Sequence, residues 1–232
     1  MSDLSAEMHA GERLRMPLVL DRLRWVETMV EGAGGEVAHL GCTDSPYTAE
    51  QLRAGVLLHA RLVERGDVTG IDVDEQALQL LRAALPGERF VCADISRGVP
   101  DEDRGRYALV IAGEVLEHVP DADAFLRGCR ALLVRRGRLC VTVPNACSPK
   151  IGLRSLAGRE SVHPDHRVYY GPRTLTRTLD GAGFDTEWMA SCLPPLASTA
   201  GRLVINPLLR GVHRATRGPV GDGLIATARL RD

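Results

Sequence analysis

Glu114, Glu117 and His118 follow a run of apolar residues at spacings of three and four, which a helical turn would gather on one side. Two carboxylates and an imidazole so placed can move a proton. His118 is the first candidate for a general base, because its ordinary pKa lies near working pH, with Glu117 beside it. The same residues have a second chemistry. Joined by His163 or His166 from the His-Pro-Asp-His segment at 163–166, they would offer a divalent ion oxygen and nitrogen ligands from Glu114, Glu117, His118 and His166. The plainer alternative is that Glu117 and His118 cap the turn entering the next helix, with His166 doing the same for its own loop.

A second constellation lies earlier in the chain, where three short apolar runs end in Gly41, Asp72 and Asp94. Gly41, with Cys42 after it, allows a sharp turn and a close ligand approach, or is simply a strand-to-helix turn. Asp72, followed by Val73, can accept hydrogen bonds from the two adjacent hydroxyls of a ribose. It could instead cap the helix beginning near Glu75, a task open to Asp74 as well. Asp94, followed by Ile95, suits an adenine amino group beside an apolar ring contact, or a loop cap. Taken together, and with Glu114 on the same edge, these residues describe an adenosine pocket.

The elements that must position them alternate. Apolar runs at 37–40, 68–73, 89–92, 107–112 and 138–143 read as strands, and helical spacing marks 46–64, 74–85, 120–134 and 172–182. That alternation is the signature of a parallel sheet with helices on both faces. Residues 184–192 and 223–230 are two further strands with no helical crossover required between them, so they can close the sheet as an antiparallel pair. Ahead of the core, helical spacing over 14–29 predicts an N-terminal helix, and residues 1–35 read as a helical cap. Residues 36–232 then form a single domain with irregular inserts at about 145–170 and 193–222. In the second insert Arg202, Arg210, His213, Arg214 and Arg217 lie among Leu203, Ile205, Leu208, Leu209 and Val212. This stretch reads as a core-facing stripe under a solvated face, or as a docking helix. Tyr169 and Tyr170 stand where they could line a substrate pocket or pack at its rim.

Composition narrows the partners. The 232 residues carry 29 Lys and Arg against 30 Asp and Glu, so no chain-wide positive field exists to hold a nucleic-acid backbone, and 4% aromatic residues make a poor stacking platform. Six cysteines without a CxxC pair point to reduced thiols packed as small hydrophobes, not to zinc or disulfides. No membrane-length apolar stretch or leader is visible, so the expected location is cytoplasmic.

The motifs together resemble the class I S-adenosylmethionine-dependent methyltransferases, in particular the ubiquinone O-methyltransferase-like subgroup. The resemblance rests on His-Leu-Gly-Cys-Thr-Asp at 39–44, Gly-Ile-Asp-Val-Asp at 70–74, Cys-Ala-Asp-Ile at 92–95, Glu-Val-Leu-Glu-His-Val at 114–119 and Thr-Val-Pro-Asn at 142–145. It implies a Rossmann-like α/β fold with a seven-stranded, mostly parallel sheet whose last strand is antiparallel. It also implies S-adenosylmethionine at the C-terminal ends of the first strands and methyl transfer to a small-molecule acceptor, expected to be a hydroxyl oxygen. The chain departs from the pattern at His39, where the family usually has an acid, and at Thr43 and Ser45, where it has further glycines. Those changes should put side chains near the methionine portion of the cofactor. Glu114, Glu117, His118 and His166 also resemble the metal site of the small-RNA 3′-terminal 2′-O-methyltransferases. That makes a metal-assisted RNA enzyme one alternative and a non-catalytic binding module of the same fold another. A nicotinamide dehydrogenase is disfavoured because the first turn lacks G-x-G-x-x-G.

Overall fold

Val37, Ala38, His39 and Leu40 are all buried, as expected for a short parallel strand covered by helices on both faces. This strand, β2 (Val37–Leu40), pairs in parallel with β3 (Val68–Asp72) on one side and β5 (Tyr107–Gly113) on the other. Beyond β3 lies β4 (Phe90–Cys92); beyond β5 lie β6 (Leu133–Pro144), β8 (Gly223–Leu230), β7 (Phe184–Cys192) and a two-residue edge strand β1 (Leu18–Val19). The computed structural model describes residues 14–160, 163–193 and 199–231. Its single sheet has the order β1-β7-β8-β6-β5-β2-β3-β4, with β8 antiparallel to both its neighbours. The α/β class and the antiparallel last strand are as expected. Among the described residues the strand count is eight and not seven, because β1 adds to the end of β7 through the pairs Leu18 with Ser191 and Val19 with Cys192.

Helices cover both faces. On one, α5 (Ala122–Leu132) and α7 (Pro172–Gly181) bury Phe125, Leu126, Leu132, Leu175 and Leu179 against β5, β6 and β8. Each of the fully buried leucines contributes on the order of 2 kcal/mol over an exposed one. Gly128 of α5 lies so close to the chain that a β-carbon there would sit 2.3 Å from the Ile95 carbonyl oxygen, so any side chain would push the helix off the sheet. The other face takes α1 (Arg22–Glu31), α3 (Leu58–Val63) and, further out, α2 (Thr48–Ala54) and α4 (Glu75–Ala84). Trp25 of α1 stacks on Trp188 of β7 at 4.8 Å, and the buried Glu27 pairs with Arg61 and Arg65 from α3 and its end. These contacts fix the N-terminus of α1, and with it Arg22, over the C-terminal edge of the sheet.

Several boundaries differ from the sequence expectation for identifiable reasons. The helix predicted over 14–29 begins only at Arg22, capped by Asp21, whose carboxylate accepts from the Arg24 amide; the apolar residues before it are spent on β1. The helix predicted over 46–64 is broken at Gly55, which takes a left-handed conformation with φ +66° and closes α2. Pro120 lies ahead of the cap residue Asp121 and not inside α5, and the chain turns extended at Leu133, where helix had been expected to 134. The inserts hold helices of their own, α6 (Pro149–Leu156) and α8 (Thr199–Thr216). Ile205, Leu208 and Val212 of α8 are exposed and His213 is buried, so that apolar stripe does not face the core. Residues 1–13 of the predicted cap, Pro194 and Pro195, and the side chains of Arg202 and Leu203 lie outside the described residues.

Candidate active site

The order of the strands reverses between β2 and β5, and an open α/β sheet places its ligand crevice outside the carboxyl ends of the strands at such a point. A cleft of about 740 Å³ opens there, and Gly41, Cys42, Asp72, Val73, Glu114 and His118 all line it. Gly41 has φ +67°, and a β-carbon on it would come within 2.6 Å of Val115. Both the turn and the contact with the next loop therefore require glycine.

Asp72 leaves the helix cap to Asp74 but is not free. Asp74 does cap α4, accepting from the Ala77 amide at 3.0 Å. Asp72, however, carries four bonds of its own. One carboxylate oxygen accepts from the Thr43 amide at 3.0 Å and the Thr43 hydroxyl at 2.8 Å; the other accepts from the amides of Val73 at 2.7 Å and Asp74 at 3.1 Å. The side chain expected near the methionine end of a cofactor thus rests on Asp72 instead.

His39 lines the cleft with a buried imidazole, Nδ1 to Nδ1 with His59 at 3.2 Å and the rings stacked. Burial first, and then the neighbouring ring, hold His39 well below its usual range, and burial brings His59 down to about 4. Both rings are neutral at physiological pH.

The segment 114–119 is an irregular turn and not a helix, and of the three Glu114 and His118 line the cleft while Glu117 does not. Glu114, at φ +55°, reaches into the cleft, where it pairs with Arg22 and accepts from the Thr142 hydroxyl at 3.2 Å. Glu117 turns inward and is fully buried, with no hydrogen-bond partner on either carboxylate oxygen. Burial, assisted by the charge of Glu114, pushes its pKa up to about 8. His118 and His166 stand close by: ligand atoms of Glu117, His118 and His166 all lie within 4.8 Å of one another. The buried Nδ1 of His166 also lacks a partner. Glu114 does not join that cluster, because its carboxylate is engaged by Arg22. The loop carrying His166 is held down by the Arg167 amide on the Glu117 carbonyl at 2.8 Å. Tyr170 is buried, and its carbonyl accepts from the Ala146 amide at 2.9 Å.

Asp94 and Ile95 lie away from the cleft lining. The Asp94 carboxylate accepts from the Ser96 amide at 3.0 Å and pairs with Arg97 at 3.2 Å, while Ile95 packs in the core. Arg22 was missed from sequence, since nothing local distinguishes it from Arg24. Among the described residues the cleft presents one guanidinium, Arg22, against five carboxylates, from Asp44, Asp72, Asp74, Glu114 and Asp165.

Residues 40–139 match the methyltransferase domain family. A ubiquinone biosynthesis O-methyltransferase of Acinetobacter baylyi is 32% identical over 183 residues, covering 72% of this chain and 71% of that protein. The chain belongs to the class I S-adenosylmethionine-dependent methyltransferases. Another ubiquinone biosynthesis O-methyltransferase, from Thiobacillus denitrificans, is 28% identical over 90% of this methyltransferase and 84% of its own length. Two solved structures share the fold. The 1,6-didemethyltoxoflavin-N1-methyltransferase of Burkholderia thailandensis, with S-adenosylhomocysteine bound, has a TM-score of 0.57 at 20% identity, over 90% of this chain and 78% of that one. An S-adenosylmethionine-dependent methyltransferase from Mesorhizobium loti gives 0.56 at 18%, over 89% and 95%. No helix among the described residues is long and apolar enough to cross a membrane.

Proposed function

We propose that this methyltransferase moves the methyl group of S-adenosylmethionine to a hydroxyl oxygen of a small molecule held beside Glu114 and His118. The observation that carries the reading is the acidic cleft at the strand-order reversal, with Gly41 and Cys42 at its turn and Asp72 and Val73 at its side. A cofactor bearing a sulfonium and an ammonium against one carboxylate is a net cation. Five carboxylates facing one guanidinium attract it and favour it over the uncharged product. Arg22 and Glu114 would take the carboxylate and ammonium of its amino-acid end, and Asp72 the ribose. The names of the relatives, ubiquinone biosynthesis O-methyltransferases, support an oxygen acceptor. In the reaction the acceptor oxygen attacks the methyl carbon in line with the sulfur, and the carbon–sulfur bond breaks with its electron pair going to sulfur. His118 takes the hydroxyl proton. His118→Ala is therefore expected to leave S-adenosylhomocysteine affinity within twofold while lowering turnover 10²-fold or more. This is read as S-adenosylhomocysteine released over a panel of phenols and catechols. Loss of both binding and turnover, or of neither, would contradict the role.

One observation favours a metal-assisted variant of the same reaction. A fully buried carboxylate with no partner is costly, and Glu117 has His118 and His166 beside it as further ligands. An oxygen and two imidazole nitrogens suit Mn²⁺, Fe²⁺ or Zn²⁺, and an ion there would make an acceptor hydroxyl easier to ionise. Glu117→Gln is expected to lose any thermal shift that Mn²⁺ gives the wild type, because an amide cannot supply the anionic oxygen ligand. A wild type whose melting and turnover ignore both Mn²⁺ and a chelator would leave Glu117 without this role.

A further inference from the structure

Thr43 holds the group that the nucleoside would need. We infer that Thr43 sets the affinity and the ribose selectivity of the cofactor site by competing for Asp72, an inference that rests on the cofactor reading above. A carboxylate offers about four lone-pair positions, and all four on Asp72 are in use: two by Thr43, one each by the amides of Val73 and Asp74. A ribose hydroxyl can bond Asp72 only if one of these donors leaves.

The backbone amides cannot do so without moving their loops. The Thr43 main chain is pinned further, because its carbonyl accepts from the Thr48 hydroxyl at 2.6 Å. What can move is the Thr43 hydroxyl, by rotation about one torsion. Thr43 is only 1% exposed, so a hydroxyl that gives up Asp72 finds no water to replace it, and each ribose bond gained costs a comparable bond inside the protein. In this chain the ribose is thus read at little net gain, and deleting one of its hydroxyls costs little because Thr43 resumes its bond.

The test is calorimetric titration of wild type, Thr43→Val and Thr43→Ser with S-adenosylhomocysteine and with its 2′-deoxy and 3′-deoxy analogues. Valine keeps the volume and removes the competitor. Thr43→Val is expected to bind S-adenosylhomocysteine tenfold tighter or more, the size of one hydrogen bond to a charged acceptor. It should lose that gain on at least one deoxy analogue. Thr43→Ser should track the wild type, and the wild type should lose less than about threefold on either analogue, a fraction of one such bond. A merely structural role would lower the melting temperature of Thr43→Val with and without ligand alike. The competition predicts a lower melting temperature without ligand and a larger upward shift with it. Wild-type binding that falls tenfold or more on a deoxy analogue would overturn the inference without any variant, and so would Thr43→Val binding equal to or weaker than wild type. Absence of binding to every form, wild type included, would overturn the cofactor reading itself.

Discussion

Asp72→Ala is expected to weaken S-adenosylhomocysteine binding about tenfold or more and to lower the melting temperature of the ligand-free protein. The two effects have separate causes. Without ligand, the substitution strands four donors, the Thr43 amide and hydroxyl and the amides of Val73 and Asp74, at a turn that is largely shielded from water. With ligand, it leaves the ribose hydroxyl that displaces Thr43 without its acceptor. Deleting one partner of a buried hydrogen bond costs more than deleting both, which is why loss of Asp72 should be severe where loss of a single ribose hydroxyl is mild. One unpaired hydroxyl at roughly 1–3 kcal/mol corresponds to a binding loss of roughly 5- to 150-fold. Titration at a temperature well below the melting point of the variant checks it. Affinity retained within about twofold would show that position 72 does not hold the nucleoside.

Much of this site was legible because parallel strands bury both faces and so announce themselves as short apolar runs. The bounds of β7 and β8 are those expected from sequence, and β2, β3 and β5 differ by at most a residue, so the three turns that face the cleft could be ordered before the fold was seen. What stayed hidden depended on contacts between distant segments. β1 is two residues long, made extended only by its pairing with the end of β7, and its leucine had the spacing of a helix. The turn at 114–119 kept a helical spacing of acids and imidazole but folds irregularly, with Glu114 in the left-handed region. One carboxylate is thereby sent to Arg22 and the other inward. Asp94 read as a ligand because it ends a strand, and its carboxylate also accepts locally from the Ser96 amide, as Asp and Asn often do in loops. Arg22 and His59 are separated by 92 and 20 residues from Glu114 and His39, the groups they meet. No local pattern pairs residues across such distances.

The buried imidazoles under the cleft should make stability depend on pH in a definite direction. His39 and His59 share one Nδ1 to Nδ1 contact at 3.2 Å, so one ring donates a proton and the other accepts it, and a second proton would place two donors against each other within the core. In the unfolded chain each imidazole titrates at about 6.5; in the fold burial lowers His59 to about 4 and moves His39 in the same direction. Below pH 6.5 the unfolded state binds protons that the native state refuses, so the stabilisation is complete above that value and is lost as pH falls toward 4. For His59 alone the loss between pH 7.5 and pH 5 is about 2 kcal/mol, and His39 adds to it. Glu117 works the other way: its carboxyl is held up to about 8, so its contribution favours the fold at lower pH and would mask part of the trend. Urea unfolding of wild type and His59→Leu at several pH values between 7.5 and 5 separates the two, because Glu117 is common to both chains. The stability difference between them should shift in favour of the variant by about 2 kcal/mol over that interval, the size of the His59 linkage. A constant difference across it would mean that the imidazole at 59 is already able to take up a proton in the folded protein.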